Sequence, residues 1–313
     1  MRTSLLTLPL LICSLAMAQD KGINADRLMT KDANKDGKLS KEELGEQFWK
    51  RVAGFDADGD GALDAKEIEA MLSKGRRGKA EQARPGAANA AFDVREFKAT
   101  NDQTMRYSLF VPKGNTESLP LVLCLHGAGG GTDAANLLAS NAMQAKHPCI
   151  VMAPACDGKS TRWAKAKIEF RNGKDARSVM PELMEALNAV ITETKADASR
   201  IYITGQSMGG MGTWGILASH AETFAAAVPV CGIWQTDDAP KMNGVPIWAF
   251  HGDKDEAVPV TGSRDMIEAL KKAGVKPEPR YTEFAGVGHG SWGQAYATAE
   301  LWEWMFAQRK SKR

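Results

Sequence analysis

From residue 92 to the C-terminus, short apolar runs alternate with longer stretches in which apolar positions recur every three or four residues. The runs at 119–125, 149–154, 200–204, 225–230, 246–250 and 278–284 are five to seven residues long, most of them dominated by aliphatic side chains. Runs of that length with few polar positions read as strands covered on both faces, which is how parallel strands pack. The patterns between them predict helices over about 133–146, 178–194, 263–273 and 292–308, and one more after residue 207. Residues 92–98 and 105–111 read as an opening hairpin. The predicted fold class is α/β, a mostly parallel sheet with helices on both faces.

Upstream the pattern changes. Residues 19–74 are charged and helical in spacing, whereas 75–90 contain no large apolar side chain and several basic ones. A stretch that can bury so little reads as a flexible basic linker. Residues 1–18 read as a secretory leader: Arg2 near the start, an apolar stretch from Leu5 to Leu15, then Ala16-Met17-Ala18 before Gln19. That apolar core is too short to span a bilayer, and no later segment is long enough. Cys13 follows the bulky Ile12, where a lipoprotein cleavage site resembles a box of small residues. The expected organisation is therefore a leader at 1–18, a small helical module at 19–74, a linker at 75–90 and a catalytic domain at 91–313, exported to the periplasm or the medium.

Composition narrows the partners. A chain of 313 residues accommodates one large α/β domain and a small appendage. Its formal net charge of +2 is too balanced for a nucleic-acid or acidic-surface binder. Of five cysteines, Cys13 leaves with the leader. Cys149 and Cys156 flank one predicted strand and stand roughly 20 Å apart if it is extended, beyond the limit of about 7 Å for a bridge. Cys124 sits within a buried run and reads as a small core residue. Cys156 and Cys231 both follow strands, so a bridge between them is left open.

The chemistry concentrates at strand ends. Gly205-Gln206-Ser207-Met208-Gly209 joins a β-branched strand to a helix, a sharp turn in which a Cβ at either glycine would strike neighbouring backbone. The turn lifts the Ser207 hydroxyl clear of the sheet as a nucleophile; the plainer reading is a glycine-rich turn with an ordinary serine. A serine needs a base, and there are five histidines. His126 and His251 each precede a glycine at the end of a buried strand, a structural placement. His147 precedes Pro148, and His220 ends the helix after Ser207. His289, in Gly286-Val287-Gly288-His289-Gly290-Ser291-Trp292, has the flexible backbone of a loop-borne base. For the orienting carboxylate, the turn after 246–250 offers Asp255, far enough into the loop to meet the imidazole, with Asp253 and Glu256 as rivals. The oxyanion donors expected are the backbone N–H groups of Met208 and of Ala128, with Gly129 as alternative, in the loop His126-Gly127-Ala128-Gly129-Gly130-Gly131.

Together these four motifs resemble the α/β-hydrolase superfamily. Within it they are similar to secreted esterases related to feruloyl and acetylxylan esterases, polyhydroxybutyrate depolymerases and prolyl-oligopeptidase-like peptidases, over about residues 92–309. In that family the acid precedes a Val-Pro pair by a few residues, and Val258-Pro259 stands in that relation to Asp255. Pro154-Ala155-Cys156 and Trp163 resemble a loop that often lines the acyl or alcohol pocket, though Trp163 is equally placed to cap the core.

Two further segments concern calcium. Asp32, Asn34, Asp36 and Glu43 fall at positions 1, 3, 5 and 12 of a twelve-residue EF-hand loop, and Asp56, Asp58, Asp60 and Glu67 repeat the pattern 24 residues later. A hard cation takes oxygens at those positions and the carbonyl of position 7, here Lys38 and Ala62, while Gly37 and Gly61 make the sharp turn at position 6. Leu39 and Leu63 are placed to pair between the loops. The tight spacing leaves one shared helix at about 41–53, so a structural Ca2+ module is expected rather than an opening sensor. Dockerins carry similar tandem loops, but those end in Asp rather than Glu.

The expected function is a secreted serine carboxylic-ester hydrolase acting through Ser207, His289 and Asp255 on carbohydrate-linked or polymeric esters, with no catalytic cofactor. The alternatives are a serine peptidase of prolyl-oligopeptidase-like type and a calcium-dependent binding protein on a hydrolase scaffold.

Overall fold

The computed structural model describes residues 28–68, 71, 92–114, 118–131, 133–166 and 176–310. The chain divides into two compact units, 1–78 and 79–313. The leader at 1–18 and the linker at 75–90 lie outside the described residues.

In the first unit the two acidic loops are joined by a minimal sheet. Leu39–Ser40 (β1) pairs antiparallel with Ala62–Leu63 (β2), Leu39 opposite Leu63. Both leucines are fully buried, in a small core with Leu28, Leu44, Val52 and Ile68. The shared helix expected over 41–53 is in fact two, Lys41–Leu44 (α1) and Glu46–Val52 (α2), interrupted at Gly45 with φ 80° and ψ 146°. That conformation suits a residue without Cβ and ends the helical hydrogen bonding there.

In the second unit the apolar runs become the strands of one eight-stranded sheet. They are β3 (Asp93–Lys98), β4 (Thr104–Phe110), β5 (Leu121–Leu125), β6 (Ile150–Ala155), β9 (Ile201–Gln206), β10 (Ala226–Val230), β11 (Trp248–Gly252) and β12 (Arg280–Phe284). Between β6 and β9, Thr161–Arg162 (β7) and Arg177–Ser178 (β8) form a separate two-stranded sheet. The order across the large sheet is β12-β11-β10-β9-β5-β6-β4-β3. All neighbours from β12 to β6 run parallel, while β4 is antiparallel to both of its neighbours, β6 and β3. Burial explains the order. Every residue of β5, β9 and β10 is buried, and these strands occupy the middle. β3 and β12 hold no buried residue and form the edges.

Successive side chains of a strand point to opposite faces, so each central strand supplies two cores. Leu121, Leu123, Leu125, Ile201 and Ile203 enter one, with Trp163, Leu183, Leu187 and Trp214. Val122, Cys124 and Tyr202 enter the other, with Leu138, Phe250, Leu301 and Trp302. The covering helices are α3 (Asp133–Leu138), α4 (Asn141–Lys146), α5 (Met180–Thr194), α6 (Met208–His220), α7 (Thr261–Lys272), α8 (Trp292–Ala297) and α9 (Ala299–Ala307). α5 buries Leu183, Met184, Ala186, Leu187 and Val190, the spacing of one helical face.

Two expected helices are broken. The stretch 133–146 divides into α3 and α4 because Ser140 adopts extended backbone and its hydroxyl accepts the Met143 N–H, capping a new helix. The closing helix divides into α8 and α9 at Thr298, whose ψ of 109° is non-helical. All four described cysteines are free thiols. The bridge left open between Cys156 and Cys231 is absent because the two pack into cores on opposite faces of the sheet. No described helix is long and apolar enough to cross a membrane.

Candidate active site

Val230 lies opposite Gln206 in the sheet, so Ser207 and Cys231 are the first residues beyond two adjacent parallel strands. Ser207 has φ 56° and ψ −116°, a backbone region that a residue with a side chain rarely adopts. Strain of this kind costs about 1–3 kcal/mol and is held by its surroundings. Here the surroundings are close backbone contacts that only glycine permits. A Cβ at Gly205 would lie 2.4 Å from the Gly209 carbonyl oxygen, and one at Gly209 would lie 2.1 Å from that of Leu125. The Ser207 N–H donates to the Val230 carbonyl at 3.0 Å, fixing the turn to the sheet.

His289 stands in the loop between β12 and α8. Its Nε2 is 2.9 Å from Ser207 Oγ and its Nδ1 is 2.7 Å from Asp255 Oδ2. The Asp255 side chain is fully buried, and its Oδ1 accepts the N–H groups of Ala257 and Val258 at 2.8 Å each. Asp255, rather than Asp253, is thus the carboxylate bonded to the imidazole. Asp253 instead accepts the Gly286 N–H at 2.7 Å, tying its own turn to the loop that carries His289. An ionised carboxylate accepts, so the proton of a neutral His289 resides on Nδ1, leaving Nε2 to accept from the Ser207 hydroxyl. Trp292 packs edge-on against the ring at 5.4 Å.

The glycine-rich loop lies beside this constellation. A Cβ built on Gly127 would stand 3.4 Å from the Gln206 carbonyl oxygen and 3.5 Å from Ser207 Cβ. One built on Gly158 would meet both Ala128 and the Met208 sulfur, at 3.3 and 3.5 Å. Gly158 thus packs close to both Ala128 and the Met208 side chain. Gln206 Nε2 donates to Asp133 Oδ2 at 2.6 Å, linking the elbow to the helix that follows the loop.

His126 is tied to the surrounding backbone through both ring nitrogens. His126 Nδ1 is 2.7 Å from the Gly127 carbonyl, and its Nε2 accepts the Cys156 N–H at 3.1 Å. Trp163 is fully buried, donates to the His126 carbonyl at 2.9 Å and packs edge-on against its ring, so it caps the core rather than lining an open pocket. Burial lowers the pKa of both His126 and His251.

Two neighbours of Asp255 and His289 were missed in the sequence. His251 Nε2 lies 3.2 Å from Asp255 Oδ2 and 3.1 Å from the Val258 carbonyl, while its Nδ1 meets the Ser263 hydroxyl at 2.8 Å. The available signal was its place four residues before Asp255. The Cys231 thiol lies 3.7 Å from the His289 carbonyl oxygen, and burial pushes its pKa up to about 12. Its signal was a position next to a strand end, adjacent to that of Ser207.

In the first unit the two acidic loops are built alike. Gly37 and Gly61 have φ of 82° and 84°, and their N–H groups donate to Asp32 and Asp56. Glu43 and Glu67 fold back on their loops, accepting the N–H groups of Ala33 and Ala57. Asp32 Oδ1 is buried without a hydrogen-bond partner, and oxygens of Asp56, Asp58 and Asp60 lie within 4.8 Å of one another. An orphaned carboxylate oxygen and converging acids are what a hard divalent cation would satisfy, so the donor set fits calcium. The Lys38 ammonium is bonded to Asp60 across the two loops.

Comparison with known proteins agrees with this division. An EF-hand model matches residues 32–49 and 55–72. Feruloyl esterase B of Neurospora crassa is 28% identical over 140 residues, 43% of this chain and 46% of that protein. Poly(3-hydroxyalkanoate) depolymerase C of Paucimonas lemoignei is 28% identical over 140 residues, 42% of this chain and 32% of its own. The chain thus spans less than half the length of these curated relatives. The crystal structure of a thermostable esterase, 34% identical, superposes with a TM-score of 0.65, covering 70% of this chain and 63% of the other. An acylaminoacyl peptidase of Pyrococcus horikoshii, 17% identical, has a TM-score of 0.55 over 72% of this chain and 43% of its own, a likeness of fold alone. The dienelactone hydrolase family model matches residues 106–303, most of the chain, and the protein belongs to that family of hydrolytic enzymes within the α/β-hydrolase superfamily.

Proposed function

We propose that the protein is a serine carboxylic-ester hydrolase acting on carbohydrate-linked or polymeric esters, with Ser207 as nucleophile, His289 as general base and Asp255 as the orienting acid. The observation that carries this reading is the unbroken line of hydrogen bonds from Ser207 Oγ through the imidazole to a buried carboxylate. Oγ bonds to the ester carbonyl carbon as its proton passes to His289 Nε2. The N–H groups of Met208 and Ala128 stabilise the developing oxyanion. His289 returns the proton to the departing alcohol, and water then releases the acid by the same relay. Relatives named as feruloyl esterase, acetylxylan esterase and poly(3-hydroxyalkanoate) depolymerase support the substrate class.

Calcium is assigned a structural role, held by Asp32, Asn34, Asp36, the Lys38 carbonyl and Glu43, and by Asp56, Asp58, Asp60, the Ala62 carbonyl and Glu67. The ion supplies charge that holds each acidic loop closed, and no catalytic step passes through it. The leader at 1–18 supports export, to the periplasm or the medium, and 75–90 is assigned as the linker between the module and the catalytic domain. Turnover of acetyl, feruloyl and hydroxybutyryl esters, compared with peptides, tests the assignment. Ester cleavage should exceed peptide cleavage, and Ser207→Ala should lower it by about 10⁴–10⁶-fold. A folded Ser207→Ala protein with most of its activity would refute the nucleophile.

A further inference from the structure

Ester hydrolysis makes no use of Cys231, a buried thiol directly behind the base. Its Sγ, a carboxylate oxygen of Asp255 and a ring nitrogen of His289 all lie within 4.8 Å of one another. They converge from three separate turns, after β10, β11 and β12. Beside the thiol, the Ser291 hydroxyl is fully buried, with the Cys231 sulfur as its polar neighbour.

The donor types specify the ligand. A thiol, an imidazole and a carboxylate suit a borderline-soft cation such as zinc, whereas calcium and magnesium require sets of oxygens. Donors held at about 2.0–2.3 Å from one ion stand at most roughly 4.5 Å apart, so only a small closure of this cluster is needed. A divalent ion joined by one thiolate and one carboxylate is neutral overall, which burial favours. The His289 side chain is 29% exposed whereas that of Asp255 is fully buried, so solvent reaches the cluster at the ring.

We propose that Cys231, Asp255 and His289, with Ser291 beside them, form an inhibitory site for a thiophilic divalent cation, Zn2+ or its analogue Cd2+. The ion bonds to the Cys231 sulfur, an Asp255 oxygen and His289 Nδ1. The thiol proton leaves to solvent. The ring loses its proton from Nδ1 and takes one at Nε2, staying neutral, so one proton is released in all. With Nε2 protonated, the imidazole cannot accept from Ser207, and hydrolysis stops. The effect on turnover rests on the catalytic reading above; the binding does not.

The test uses the full chain in excess Ca2+, which keeps the acidic loops at 32–43 and 56–67 occupied. Zn2+ should inhibit the wild type, and Cys231→Ala and Cys231→Ser should each need at least tenfold more Zn2+ for half-inhibition of their own uninhibited rates. Cd2+ should raise an ultraviolet thiolate-to-metal absorption that both variants lose and Ser207→Ala keeps. Equal sensitivity of wild type and variants, or a band that survives loss of Cys231, overturns the site. A Ser207→Ala protein that binds Cd2+ yet still turns over ester would fault the catalytic reading alone. Should the cysteine variants not fold, His289→Phe must lower Cd2+ affinity at least tenfold, and an unchanged affinity overturns the proposal.

Discussion

The Ser207 hydroxyl bonds to the His289 imidazole, and that imidazole has one carboxylate behind it. Asp255→Asn should therefore reduce turnover by about 10²–10⁴-fold, because an amide cannot hold His289 in the Nδ1–H form. Asp253→Asn removes a charge from a turn bond to Gly286 and should cost far less. Steady-state rates of the two variants check the ranking, and the reverse order would move the acid to Asp253. The buried histidines set a second expectation. Burial lowers the folded-state pKa of His126 and His251, so the unfolded chain binds more protons just below the ordinary histidine value of about 6.5. Their contribution to stability is complete above that pH and is lost as pH falls through it. Melting temperature should drop between pH 7.5 and 5, with a shallower slope in His126→Gln; a slope unchanged by that substitution counts against the assignment. At this scale the meeting of Ser207, His289 and Asp255 was legible, because each sits in a short motif; their roles as nucleophile, base and acid are the proposal. His251 and Cys231 were not, since their importance lies in what the fold sets beside them.

Elements were legible wherever one pattern decided them. The central strands are continuous apolar runs, and burial on both faces placed them in the middle of the sheet. Helix interruptions at Gly45, Ser140 and Thr298 escaped the periodicity, because a break of one or two residues preserves the spacing of apolar positions on either side. α6 shows the opposite case, where glycines poor in helix propensity form a helix because they let it lie against the strands. Gly209→Ala sets a Cβ 2.1 Å from the Leu125 carbonyl oxygen, a contact that backbone must move to relieve. Overpacking of this kind costs about 1–3 kcal/mol or more. Gly209→Ala should lower the denaturation midpoint and displace Ser207, reducing turnover, whereas a variant of wild-type stability and rate would show that the elbow is not held by this contact.

The chain as a whole divides its chemistry. The proposed calcium ligands fall in residues 32–67 of the first unit, while Ser207, Asp255, His289 and their bonding partners belong to the second. Chelation should loosen the first unit, by a free energy set by the calcium concentration relative to Kd. Hydrolysis of a small soluble ester should persist. Calorimetry with and without chelator, run beside the rate assay, checks both halves, and a parallel loss of rate would show the two units to be coupled. The placement of the triad has a temporal consequence as well. His289 meets Asp255 across 34 positions of the chain and Ser207 across 82. Contacts of such separation form only after the intervening chain has been ordered, and topologies rich in them fold slowly. On the proposed roles, a refolding chain should hold its helices before it holds this relay, and ester turnover should return later than the helical signal.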